Sequence, residues 1–329
     1  MSTWLVTGAA GFIGSNLSRK ILEMGDRIIG LDNFSSGSQA NIDRLIGLGG
    51  ENFDFIEGDV RDPSTFRQAL VDSSRVAHLA AQVSVQKSID DPVETDSINI
   101  GGFVSLVDAA AKADVQKIIY ASSCAVYGDN PKLPLDEEEH PRPLSPYAVS
   151  KYANDLYADV LSTLKPEIQL VGLRFFNIFG SWQDASGGYA AVIPRWISRL
   201  IAGEQATIFG DGDATRDFCH VDNVSSAIIE IGEREEPLSH NVFNIGTGVR
   251  TSLLELHDTL VEGIQAGGRT VKHPTPAHLP WRDGDIVHSV ASINRAQTAM
   301  GYRPHTALGA GVRRMLSEEY GLKFDGTPH

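Results

Sequence analysis

A doubly wound parallel α/β sheet, followed by a smaller mixed α/β region, is the fold class this sequence predicts. Three observations carry it. Short apolar runs recur through the first half, each followed by a stretch with helical spacing. Glycines 8, 11 and 14 cluster directly behind the first run. The regular alternation then fades after Asn177. Alternation of this kind implies a parallel sheet covered by helices on both faces.

The first strand is expected at 3–7, ending at Gly8-Ala9-Ala10-Gly11-Phe12-Ile13-Gly14, where the chain must turn sharply into a helix. Glycine lets the backbone turn and approach a pyrophosphate, and the helix N-terminus supplies amide hydrogens and a favourable dipole. The second strand, 27–31, leads into Asp32, whose carboxylate can accept from the adenosine ribose hydroxyls. That carboxylate repels a 2′-phosphate, and Asn33-Phe34 offers no arginine to neutralise one, so NAD is favoured over NADP. Asp59-Val60 follows the third strand, 53–57, and either meets the adenine or forms a solvated turn. Further strands are expected at 76–79, 117–122 and 169–175, and the run 242–245 returns to the sheet before Gly246-Thr247-Gly248. This pattern divides the chain into two parts. A Rossmann dinucleotide-binding domain covers 1–175 with a return segment near 217–248, and a substrate-binding domain covers 176–216 and 249–329.

The net charge of −14 argues against nucleic acid or anionic membrane as a partner, because both need a basic face. Cys124 and Cys219 are the only cysteines, which fits a reducing cytoplasm rather than a disulfide framework. The N-terminal residues lack the basic region of a signal peptide, and no apolar run is long enough to cross a bilayer. The ten histidines show no metal-ligand spacing, so no metal site is expected. Residues 136–139 read as an acidic surface run, and 325–329 as a frayed tail.

Ser145-Pro146 has the pattern of a helix cap followed by proline at the first helical position. Tyr147 and Lys151 then lie one turn apart on one helix face, with Ser122-Ser123 one strand-to-helix connection upstream. A tyrosine acting as base near neutral pH needs its pKa lowered by about three units, roughly 4 kcal/mol. A cation ~4 Å away at an effective dielectric of ~20 supplies about that much. Lys151, assisted by a positive nicotinamide ring, is therefore expected to depress Tyr147. The combination points to an NAD-dependent enzyme acting on a carbon that bears a hydroxyl.

On these residues the chain resembles the extended short-chain dehydrogenases/reductases, in particular the nucleotide-sugar 4-epimerases. The likeness runs through the glycine motif, Asp59-Val60, His78-Leu79-Ala80-Ala81, Asn99, the run from Ser122 to Gly128, Tyr147/Lys151 and Arg174-Phe175-Phe176-Asn177. It continues through Thr215-Arg216-Asp217-Phe218 and Arg282-Asp283-Gly284-Asp285. The resemblance implies Ser123, Tyr147 and Lys151 as catalytic residues. It places Phe12, Ile13, Asn33, Leu79, Ala80 and Ala81 at the cofactor together with the residues above. For a UDP-sugar it implies contacts from Ser84, Asn177, Gln183, Ala191, Val192, Arg216, Arg282, Asp285 and Ser289. Tyr147 would take the proton from the sugar 4-hydroxyl as C4 hydride passes to NAD, and the 4-keto sugar would turn over before receiving it back. Dehydratases of the superfamily carry Asp-Glu, and uronate decarboxylases Glu, where this chain has Cys124-Ala125.

Within that resemblance the substrate leans toward N-acetylhexosamines. Ser289 stands where some epimerases have a tyrosine walling off the acetamido group, and Gln183 and Ala191 resemble the UDP-N-acetylglucosamine branch. Val83, before Ser84, departs from the glycine frequent there. UDP-glucose/UDP-galactose and UDP-uronic acid epimerisation remain as alternatives. More remote ones are a nucleotide-sugar dehydrogenase or dehydratase and a non-catalytic NAD-sensing module. Tyr152, Leu156, Val160 and Leu164 recur every fourth residue after Tyr147. This stripe either packs on the sheet or, as the resemblance implies, joins a homodimer.

Overall fold

In the computed structural model, described over residues 2–113, 115–184, 191–281 and 286–324, a seven-stranded sheet carries the molecule. Its strands are β1 (Thr3–Thr7), β2 (Arg27–Asp32), β3 (Phe53–Glu57), β4 (Arg75–His78), β5 (Lys117–Ser123), β6 (Gln169–Phe175) and the returning Val242–Ile245. Every pairing is parallel, and the spatial order runs from Val242–Ile245 through β6, β5, β4, β1 and β2 to β3. Strand order therefore reverses between β1 and β4, where doubly wound sheets open a ligand crevice at their C-terminal edge.

The bounds differ from expectation by one residue at three strands, and two of the shifts matter. Asp32 closes β2 and Ser123 closes β5, so both sit on the sheet edge rather than in the loops beyond. Period-two alternation sends Trp4 and Val6 to one face and Leu5 to the other, which seeds two apolar layers. A third cluster, around Ile193, Trp196, Leu256, Leu260 and Met315, lies among the C-terminal helices.

Helices α1 (Phe12–Glu23), α2 (Gln39–Gly49), α3 (Pro63–Ala69), α4 (Val85–Asp90), α5 (Pro92–Asp96), α6 (Gly102–Ala110) and α7 (Pro146–Leu164) cover the sheet. Ser145 caps α7 as expected, its side chain accepting from the Ala148 amide at 3.2 Å, with proline in the first turn. Beyond β6 the chain forms short two-stranded ladders, such as Asn177–Phe179 beside Phe218–His220. The acidic run at 136–139 is not wholly a surface feature. Glu137 is buried because its carboxylate accepts from the Asn244 amide at 2.7 Å.

Candidate active site

The glycine turn is shaped by main chain. Gly8 has a φ of +73° and donates to the Leu31 carbonyl at 2.7 Å, while the Gly11 amide donates to Gly8 at 3.0 Å. A Cβ on Gly14 would lie 2.0 Å from the Gly8 carbonyl oxygen, and one on Gly8 would lie 2.7 Å from the Ala80 nitrogen. The turn is thus pressed against Leu79-Ala80. Thr7 fixes that contact from below, its hydroxyl accepting from the Leu79 and Ala80 amides at 3.2 Å and lying 2.8 Å from His78 Nδ1. No side chain caps α1, and no acidic residue occupies its first turn. The helix end with Phe12 and Ile13 therefore keeps its positive end for a ligand anion.

Asp32 reaches the same turn, accepting from the Ala10 amide at 3.0 Å and the Phe34 amide at 2.8 Å. Burial pushes its carboxyl above the ordinary range, while those amides draw it back. A tight glycine turn, an uncapped helix end and a carboxylate at the end of β2 together fit a dinucleotide. Asn33 and Asp59 come together as well, with Asn33 Nδ2 donating to Asp59 at 3.0 Å. Asp59 is also held by Arg61 Nε and Nη2 at 2.9 and 2.6 Å, which drives its carboxyl down to about 2. Arg61 is the arginine that Asn33-Phe34 does not supply. It sits two residues past Asp59 and is spent on that carboxylate. Val60, beside it, is buried.

The catalytic candidates converge at the C-terminal edge of β5. Ser123 accepts from the Ala125 amide at 3.1 Å, capping a 3₁₀ turn at Cys124–Tyr127. Lys151, buried, donates from Nζ to the Ala121 carbonyl at 2.9 Å and stands 6.0 Å from the centre of the Tyr147 ring. Asn99, in a single π turn at Ser97–Gly101, donates to the Gln82 carbonyl and to Ser150 Oγ at 3.0 and 2.9 Å, tying that loop to α7. Burial raises Tyr147 to about 12, opposed by the Ser123 hydroxyl beside it, and burial lowers Lys151 to about 8. In the protein alone, desolvation is the largest influence on both groups.

The remaining candidates come from distant segments. Ser289 is buried, donates its amide to the Thr215 carbonyl at 3.0 Å, and lies against the thiol of Cys124, the neighbour of Ser123. Arg216 Nη1 reaches the Thr215 and Val287 carbonyls at 2.9 and 3.1 Å. It borders a cavity shared with Val192, Phe209, Leu253 and Trp281. Ala191 is exposed at the start of the helix Val192–Ile201. Ser84 uses its hydroxyl to cap α4, accepting from the Lys87 amide at 3.1 Å. Asn177 Oδ1 and Gln183 Oε1 are buried without a hydrogen-bond partner among the described residues. Arg282 and Asp285 lie outside the described residues.

Sequence reasoning missed the clamp before Gln183. Trp182 adopts a φ of +66°, costly for a bulky side chain, with the guanidinium groups of Arg19 and Arg44 over its ring at 4.9 and 5.0 Å. Its amide donates to Glu319 at 2.9 Å, and Asn16 donates to the Ser181 carbonyl at 2.8 Å. The partners are scattered over three segments, so no local pattern announces them.

Comparison with known proteins bears on this geometry. Residues 4–246 match the NAD dependent epimerase/dehydratase family. A UDP-glucose 4-epimerase of Mycolicibacterium smegmatis is 36% identical over 314 residues, covering 95% of this chain and 96% of the relative. Among solved structures, the UDP-glucose 4-epimerase of Thermotoga maritima with UDP-glucose superposes with a TM-score of 0.87 at 33% identity, covering 97% of this chain and 99% of that one. The UDP-N-acetylglucosamine 4-epimerase of Methanobrevibacter ruminantium, in complex with UDP-N-acetylmuramic acid, gives 0.88 at 32% identity, covering 98% and 99%. With the family model spanning most of the chain and the glycine turn, Asp32, Tyr147 and Lys151 arranged as described, this protein is a member of the NAD dependent epimerase/dehydratase family.

Proposed function

We propose that this protein is an NAD-dependent 4-epimerase of UDP-hexoses, and that its preferred pair is UDP-N-acetylglucosamine and UDP-N-acetylgalactosamine. The observation that carries the reading is the convergence of Ser123, Tyr147 and Lys151 at the sheet edge that also holds the glycine turn and Asp32. NAD, when bound, supplies the hydride acceptor and donor for sugar C4 and a positive ring that draws on the Tyr147 proton. The chain's own residues do the rest. Tyr147 accepts the 4-hydroxyl proton and later returns it, and Ser123 holds the reacting oxygen and helps relay that proton. Lys151 keeps positive charge near the phenol.

The sugar must turn over as a 4-keto species, so the diphosphate needs firm anchorage and the sugar loose contacts. Arg216, with Arg282 and Asp285, is assigned to the nucleotide end, since a guanidinium fork suits phosphate. Ser289 lies against Cys124, the neighbour of Ser123, and its small side chain supports room for an acetamido group. Gln183 and Asn177, with unsatisfied side-chain oxygens, suit donors on the sugar. In this reading the part around 1–175 and 217–248 binds NAD, and the remainder binds the nucleotide sugar.

A homodimer is part of the proposal. Leu156, Val160 and Leu164 are 51%, 56% and 69% exposed, so most of the α7 stripe faces away from the sheet. Val85, Ile89 and Val93 on the adjoining α4 and α5 are exposed too. No helix among the described residues is long and apolar enough to cross a membrane.

The test is NMR of the purified protein, without added NAD, incubated separately with UDP-N-acetylglucosamine and UDP-glucose. Conversion of the first sugar to its 4-epimer, faster than the second, is expected. Faster conversion of UDP-glucose would overturn the substrate choice, and no epimer from either would overturn the activity.

A further inference from the structure

Asp155, Arg174 and Tyr127 are buried titratable groups with no part in the chemistry above. Asp155 lies one turn beyond Lys151 on the sheet-facing side of α7, 5% exposed. Its carboxylate accepts from the Tyr120 hydroxyl at 3.1 Å and from Arg174 Nε at 3.0 Å, and the Ser122 hydroxyl lies beside it. Tyr120 and Ser122 flank Ala121, whose carbonyl accepts from Lys151. Two successive turns of α7 are therefore pinned to two consecutive residues of β5, Tyr120 and Ala121, just before Ser122 and Ser123. Arg174 extends the chain of contacts, donating from Nη1 to the Tyr127 hydroxyl at 2.9 Å. That hydroxyl donates to Asn244 Oδ1 at 2.6 Å on the returning strand.

We propose that Asp155, held by Arg174, is a positioning residue that sets the spacing of α7 on β5 and keeps Lys151 positively charged. This rests on Tyr147 and Lys151 being the reacting pair. Burial pulls Lys151 down to about 8, and Asp155 is the group that opposes it. The other titratable groups around the lysine do not help. His78 on β4 is lowered by burial to about 3 and stays neutral, while burial pushes the Cys124 thiol up to about 11. Arg174 is needed in turn: burial raises the Asp155 carboxyl, the Arg174 guanidinium draws it back, and without that cation the carboxylate would take up a proton and lose the charge on which Lys151 depends.

The experiment compares Asp155→Asn with the double variant Asp155→Asn/Arg174→Gln, both loaded with NAD. The alkaline limb of the kcat profile and the ultraviolet absorbance of the Tyr147 phenolate are followed against pH, with Tyr147→Phe as the blank. Lys151 would lose its proton earlier in both variants. The alkaline limb should move down by about one pH unit, and kcat should fall about tenfold with KM little changed. The double variant leaves no stranded charge, so it carries the test even if the single one folds poorly. A folded double variant with the wild-type limb and kcat would overturn the proposal. Normal turnover by Tyr147→Phe would instead sink the reading of the reacting pair, so the two failures are distinguishable.

Discussion

Around residues 8–14 the molecule is shaped by main-chain contacts, whereas around Gln183 and around Ser289 it is shaped by side-chain contacts. In the first region, glycines remove every Cβ that would meet the Gly8 carbonyl or the Ala80 nitrogen, and Asp32 is seated by two backbone amides. In the second, Ser289 leans on Cys124, and Gln183 follows a tryptophan clamped by arginines from α1 and α2. A backbone cradle tolerates almost no substitution and binds one cofactor. Side-chain contacts can change one residue at a time, which suits residues proposed to choose a sugar.

Four substitutions test that contrast. Tyr147→Phe removes the proposed proton acceptor and should cut turnover by about 10²–10⁴-fold. The fold and NAD content should stay intact by circular dichroism and by release of NAD on denaturation. Gly14→Ala should act only on the backbone side. Its methyl meets a carbonyl that cannot move aside, and overpacking of about 1–3 kcal/mol corresponds to roughly 5- to 150-fold weaker NAD retention. A variant that purifies with full NAD would refute the tight-turn account.

Ser289→Tyr should act only on the side-chain contacts. Turnover of UDP-N-acetylglucosamine should fall about tenfold or more, with any UDP-glucose activity kept or raised. Equal loss with both sugars would mean general damage, and no loss would mean that Ser289 does not face the sugar. Leu156→Glu touches neither region. It should weaken the proposed dimer about tenfold or more, seen by sedimentation, while per-site NAD retention is unchanged. An unaltered sedimentation profile would remove α7 from the interface.

The same contrast explains what the sequence disclosed. The seven sheet strands were legible because parallel buried strands read as apolar runs, and the glycine spacing was legible because a strand–helix turn is local. The Tyr147/Lys151 pair was legible from helical periodicity and the Ser145-Pro146 cap. The Trp182 clamp and the seating of Ser289 were not, because their partners are far apart along the chain and share no period. Glu137 misled because a run of acids reads as surface, although one of them satisfies the Asn244 amide. The burial that raises Tyr147 was not legible either, because a spacing of four residues does not say how deeply the phenol is sunk.

The most direct test of the central claim follows the hydrogen on C4. UDP-N-acetylglucosamine carrying deuterium at that carbon is incubated with the purified protein, and the product is analysed by NMR and mass spectrometry. If the hydride leaves C4 and returns to the same sugar, the 4-epimer forms with its deuterium retained and no reduced cofactor accumulates. Loss of the label to solvent, or a stable 4-keto product with reduced cofactor building up, would contradict the account.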